Sequence, residues 1–291
     1  METLLMDNEA WVRMGAFAGV LGLMMALEAL RPRRARLNAR ARRWVGNLGV
    51  VGVATVLARL AVPVVPVALA AVAAEKGWGL LNQVHWPLWA EVLVAVLVLD
   101  LVVYLQHVLF HAVPTLWRLH RMHHADTDID ATTGIRFHPL EIILSLGIKL
   151  AAVLALGPAA VAVLVFEVLL NGSAMFNHAN VALPRRMDAV LRLLVVTPDM
   201  HRVHHSWHRD ETDRNFGFCF PWWDRLLGTY RAQPRDGHEG MTIGLADFRD
   251  PRELSLWRLL TQPFRSPGRI NPSEAPEPVP AKPEAPATSR P

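Results

Sequence analysis

The 291-residue chain contains one cysteine, Cys219, which excludes an internal disulfide framework and any CxxC metal site. Charge is scarce as well. Asp, Glu, Lys and Arg make up 19% of the residues, against about a quarter in soluble domains. Hydrophobic residues make up 52%, and the mean hydropathy is positive. In a chain of this length that balance points to a membrane protein rather than to one large soluble core. Residues 1–10 carry acids instead of a basic n-region, and no small-residue cleavage site stands out, so no cleavable signal peptide is evident. No flavin, haem or iron–sulfur motif is present, and no internal repeat is convincing beyond two occurrences of HxxHH. The net charge is +4 with clustered arginines. Beside long apolar runs, the expected partners of those arginines are membrane-surface phosphates and not nucleic acid.

What the chain does have is four or five apolar stretches. Residues 11–30 are apolar apart from Arg13 and Glu28, long enough for one span. Residues 44–74 form a second stretch that Pro63 and Pro66 should kink or break. Residues 88–110 form a third, carrying Glu91 and Asp100. Residues 140–176 read as a helical hairpin turning at Gly157-Pro158, with arms barely long enough to cross. Seven arginines fall within residues 31–43, which places that loop on the cytoplasmic side. Following the spans from there puts His107, His111 and His178 at the cytoplasmic face. Residues 113–139 and 179–263, rich in His, Arg and Trp, then form a cytoplasmic cap. The expected architecture is all-α: about four transmembrane helices, hairpin included, under a helical cap. Residues 1–265 form the membrane-embedded domain, with its motifs in residues 88–232. Residues 266–291, with eight prolines and few apolar side chains, form a disordered tail.

Thirteen histidines are present and most are clustered. His107 and His111 form HxxxH; His120, His123 and His124 form HxxHH; His201, His204 and His205 form HxxHH again. On a helix, residues three and four apart share a face, so each cluster can aim its imidazoles at one point. One HxxxH alone is commonly surface or packing, and adjacent histidines occur in basic patches. Three such boxes on one membrane face point to metal. Imidazole suits Fe, Zn and Cu, and eight clustered rings exceed what one metal needs, so two metals are the economical reading. HxxHH lacks the glutamate that serves as general base in HExxH peptidases. The Glu-x-x-His motif of carboxylate-bridged di-iron bundles is absent too.

The matching stretches DLVVYLQH (residues 100–107), His111, LWRLHRMHH (116–124), RFHPLE (136–141), FNHAN (176–180), TPDMHRVHHS (197–206), NFG (215–217) and WDRLLGTY (223–230) occur in this order. Together they resemble the fatty acid hydroxylase and sterol desaturase superfamily of membrane di-iron enzymes. The resemblance implies metal ligation by His107, His111, His120, His123, His124, His178, His201, His204 and His205. It is what brings in His178, since spacing alone does not. Some relatives carry another histidine where this chain has Ala174, which leaves His208 and His138 as candidates for that role or for supporting a ligand. Asp100, two turns before His107, is read either as orienting that imidazole or as a helix-packing contact; Asp199 is read similarly. The aromatic residues 216–223 would line the substrate mouth or anchor at the interface. His85 and His238 are read as surface residues.

The activity this implies is O2-dependent hydroxylation or desaturation of a lipid at two iron ions, with zinc able to substitute. O2 is the co-substrate, and electrons come from an external reductase or electron-transfer protein. The lipid enters from the bilayer. The expected location is a multi-pass protein of a bacterial inner membrane with its metal site facing the cytoplasm. A membrane metal-binding or transport protein, or a non-catalytic family member, are the competing readings. Transport would place ionisable residues deep within several spans.

Overall fold

A computed structural model describes residues 2–266 of the chain; among them there is no β-strand, only isolated bridges such as Pro32 with Val181. The tail expected over residues 266–291 falls, but for Ser266, outside the described residues. The long helices follow the apolar runs. After a short α1 (Glu2–Asp7) come α2 (Glu9–Leu30), α3 (Arg40–Ala61), α4 (Pro66–Lys76), α5 (Leu88–Ala112), α6 (Pro114–His124), α7 (Pro139–Leu156) and α8 (Ala160–Asn177). Five stretches are long and apolar enough to cross a membrane: Glu9–Leu30, Arg40–Gln83, Leu88–Ala112, Pro139–Leu156 and Ala160–Asn177. The chain is a multi-pass membrane protein.

Prolines and glycines set the joints. Residues 62–65, including Pro63, leave the helical path, and Pro66 opens α4 at its first turn, where a missing N–H costs nothing. Pro114 ends α5 and starts α6, so the two histidine-bearing helices fold back on each other. Gly157 closes α7 in the left-handed conformation with φ of 64°. It lies against Gly79; a Cβ on Gly79 would fall 2.3 Å from the Gly157 nitrogen. Leu80 N–H donates to the Ala155 carbonyl at 3.1 Å, and Ala159 N–H to Glu91 Oε1 at 2.6 Å. The hairpin tip is thereby pinned to the loop after α4.

Below the tip the two arms of the hairpin separate. α7 packs on α3 and α4, while α8 packs on α2, α4 and α5, and the two arms have little contact with each other.

At the opposite end the cap is fastened by buried charge. Arg43 of α3 makes a bidentate pair with Asp126 (Nε–Oδ1 3.0 Å, Nη2–Oδ2 2.8 Å) and also bonds Asp130. Arg136 lies 3.4 Å from Asp126, and the Thr133 hydroxyl donates to the same carboxylate. Asp128 accepts the N–H groups of Leu37 and Asn38. Glu28, which breaks the apolar pattern of α2, is buried and accepts the N–H groups of Ala131 and Asn180. Several arginines of residues 31–43 therefore hold the cap instead of facing solvent, on the same side as the histidines.

Candidate metal centre

Four structural units deliver the nine clustered imidazoles. α5 carries His107 and His111 on its last turns, α6 carries His120, His123 and His124, and His178 caps the end of α8. The helix α10 (Pro198–His204) carries His201 and His204, with His205 at its C-terminus; α9 (Arg185–Leu191) precedes it. α10 starts on Pro198, and Thr197 caps it by accepting the Met200 N–H.

The rings fall into two groups. His107, His111, His120, His124 and His204 form one; His123, His178, His201 and His205 form the other, with ligand atoms within 4.8 Å of one another in each. All nine are buried. In the first group Nε2 of His107 lies 3.1 Å from that of His120 and 3.0 Å from that of His204, and His111 lies 3.1 Å from His124. In the second, His178 Nε2 is 3.0 Å from His123 and 3.1 Å from His201.

The contacts among His107, His120 and His204 and between His123 and His178 are not ordinary hydrogen bonds, because the protons of these rings are committed elsewhere. Nδ1 of His107 donates to the Phe216 carbonyl at 2.7 Å, His178 to Ala174 at 2.7 Å, His204 to Arg214 at 2.7 Å and His123 to Arg136 at 3.2 Å. His120 donates to Glu141 at 2.6 Å and His111 to Asp213 at 3.2 Å. In that tautomer each Nε2 is a bare lone pair. Two lone pairs facing at 3 Å repel unless a cation lies between them. Imidazole nitrogens about 2.0–2.1 Å from a shared ion, at right angles, stand about 3 Å apart. Both nitrogens of His205 and Nδ1 of His201 are buried without a partner, as unfilled ligand positions would be. Burial, reinforced by neighbouring imidazoles, pushes His123, His124, His201 and His205 well below their ordinary range. Burial likewise lowers His178 to about 4 and His204 to about 3. These six rings are neutral at physiological pH, the form that ligates. The donor set fits two imidazole-rich metal positions.

The side chains expected to support the ligands sit elsewhere. Asp100 does not reach His107; it accepts the N–H groups of Cys219 and Phe220 and the Trp223 indole N–H at 2.9 Å, tying α5 to the aromatic loop. His138 caps α7 through Leu140 N–H and bonds the Leu260 carbonyl. Asp199 pairs with Arg33 and Arg202. His208 bonds Asp236 at 2.8 Å. None of the four touches a clustered imidazole, because each is drawn to a nearer charge or cap. His85 is exposed, but His238, also read as surface, is buried near Asp199, and burial pushes it down to about 3. Sequence reading missed the acids that do the orienting, Glu141 and Asp213. A lone acid in the first turn of the apolar α7 was the available signal for Glu141.

A cavity of about 390 Å³ adjoins the first group. Phe110, Phe137 and Phe218 line it beside His107 and His120, and it runs between α5, α7 and α8 into the spans. Asn171, an exposed residue of α8, also lines it. Phe216 and Phe218 are buried against the imidazoles, which rules out an interfacial position for these two.

Two buried histidine groups able to hold metal, beside a cavity among membrane-spanning helices, are what the fold and the site define. Residues 92–229, just under half of the chain, match the fatty acid hydroxylase family model, in keeping with the resemblance to the fatty acid hydroxylase and sterol desaturase superfamily. It is 27% identical over 187 residues to the ornithine lipid hydroxylase OlsE of Rhizobium tropici, covering 64% of this chain and 54% of that protein. It is 29% identical over 181 residues to human alkylglycerol monooxygenase, covering 61% of this chain and 39% of the relative. To mouse cholesterol 25-hydroxylase it is 28% identical over 148 residues, covering 50% and 48%. The chain thus spans about half or less of the length of these relatives. No solved structure matches.

Proposed function

We propose that the chain hydroxylates a membrane lipid with O2 at a two-iron centre held by the nine histidines. The observation that carries this reading is the set of bare Nε2 atoms facing one another at the head of an apolar cavity. Three relatives whose names describe lipid oxidation support it. His107, His111, His120, His124 and His204 would hold one ion, and His123, His178, His201 and His205 the other. When bound, such ions supply the reductive activation of O2 that removal of hydrogen from an unactivated C–H bond requires.

The chain's own residues supply the rest. Glu141 and Asp213 orient His120 and His111, fixing which nitrogen faces inward. Phe110, Phe137 and Phe218 keep water from the reacting carbon. The histidines act as ligands and not as general bases. Electrons come from an external donor. Hydroxylation is preferred to desaturation because every relative named above carries hydroxylase or monooxygenase in its name. The metal site faces the cytoplasm, by the arginines of residues 31–43.

The test pairs metal analysis with lipid mass spectrometry of membranes supplied with O2 and a reductant. Expected are two imidazole-bound ions and a lipid gaining one oxygen, the latter lost in His123→Ala and His204→Ala. A protein that retains neither iron nor zinc sinks the proposal. One that changes cellular metal uptake and no lipid replaces it with transport.

A further inference from the structure

Deep in the spans, away from the histidines, lies a second polar group that the metal chemistry does not use. Lys149 of α7 pairs with Glu167 of α8 at 2.8 Å, across the gap between the splayed arms. Arg13 of α2 pairs with the other Glu167 oxygen and with Glu9 at 2.7 Å. Charges within a span are expensive and rarely without a task. Arg13 and Glu167 have one: they join α2 to α8. Lys149 is not needed for that, since Glu167 keeps Arg13. Lys149 lines the cavity, one of three ammonium hydrogens satisfied by Glu167 and the others free to donate.

Lys149 stands eight residues along α7 from Glu141, the residue that holds His120, so about 12 Å of helix separates it from the metal end. Between them the cavity is mostly apolar; its uncharged polar side chains are the mutually bonded Gln106 and Ser145, Thr55, and Asn171, whose amide donates to the Glu167 carbonyl. Two cations, Arg13 and Lys149, are balanced by two anions, Glu9 and Glu167. No net positive charge is left over for an anionic ligand. An uncharged oxygen that accepts from the Lys149 ammonium fits, and a hydroxyl fits best.

We propose that Lys149 is a specificity-determining residue that binds an uncharged hydroxyl at the remote end of the lipid, about 12 Å from the carbon held at the histidines. This rests on the lipid-oxidising reading above and adds the identity of the substrate's far end.

The experiment reads binding instead of turnover. The full-length protein in phosphatidylcholine nanodiscs is photolabelled with a diazirine-bearing long-chain alkanol, and dodecanol, dodecane and dodecanoate compete for the label. Wild type should favour dodecanol over dodecane by on the order of tenfold, the worth of one good hydrogen bond. Lys149→Met should erase that preference while dodecane competes as before, and Lys149→Arg should keep it. Retained dodecane competition shows that the Met variant is folded. Equal competition by alkanol and alkane in wild type, or an unchanged preference in Lys149→Met, overturns the proposal. So does dodecanoate outcompeting dodecanol, since the site would then read charge. Absence of any lipid oxidation alongside a Lys149-dependent preference would sink the enzymatic reading alone.

Discussion

At the residue scale the centre is a set of nine rings, six of them held by their Nδ1. The unequal split into five and four makes the two groups respond differently to loss. His123→Ala leaves three imidazoles in its group, whereas His204→Ala leaves four in the other. Both should abolish lipid oxidation, but metal analysis should find the larger loss in His123→Ala. His85→Ala, exposed and distant, should match wild type in both assays. The orienting acid gives a graded test. Glu141→Ala leaves His120 Nδ1 without its acceptor and should cost about 10–100-fold in activity or metal affinity; Glu141→Gln keeps an acceptor oxygen and should recover much of it. Equal loss in the Ala and Gln variants would show that Glu141 does not act through that bond. Eight of the nine rings that meet were legible in the sequence because helical spacing of three and four is a local signal; His178 entered only through the family resemblance. Glu141 and Asp213 escaped because their partners lie 21 and 102 residues away. His238 was misread because its burial depends on tertiary packing.

At the scale of elements, two contacts decide whether the cap can form the second histidine group. Gly134 sits so close to α8 that a Cβ would fall 2.2 Å from the Ala174 carbonyl and 3.1 Å from His178 Nδ1. That carbonyl is the one His178 donates to. Gly134→Ala should therefore cost about 1–3 kcal/mol and displace His178, seen as a lower Tm together with reduced metal content. The other contact is the Arg43–Asp126 pair. Burial raises the Asp126 carboxyl, but the Arg43 and Arg136 charges outweigh it and hold the group well below the usual carboxylate range. A depressed folded value means stability that is full above the unfolded pKa of about 4 and is lost as pH falls through the folded value. Cap unfolding, followed by tryptophan fluorescence, should set in below about pH 4 for this contribution. Arg43→Met leaves Asp126 with Arg136 alone and takes the Arg43 partner from buried Asp130, and should cost about 3–5 kcal/mol at neutral pH, with a flatter acid limb. An unchanged acid limb would remove Asp126 from the account. The break between α3 and α4 and the turn at Gly157 were readable from proline and glycine. The splaying of α7 from α8 was not, because apolar composition specifies burial and not which neighbour supplies it.

At the scale of the whole molecule, the arginines of residues 31–43 and the histidines share one end, and the loop after α4 meets the hairpin tip at the other. Cys219 is buried, so introduced cysteines can report sidedness with little background. Arg36→Cys and His85→Cys, both at exposed positions, should label from opposite faces, the former from the cytoplasm. Labelling of both from one face would break this topology and the placement of the metal site with it.

The sparse contact between α7 and α8, bridged by Lys149 and Glu167, has a kinetic corollary. A lipid that arrives between these helices is drawn from a two-dimensional solvent, and its relevant concentration is a mole fraction in the bilayer. Diluting the membranes in buffer should leave the rate per protein unchanged, while diluting the substrate with inert lipid at constant total substrate should slow it. The bilayer then serves as reservoir and competitor together, and bulk phospholipid acts as a weak inhibitor simply by occupying the doorway.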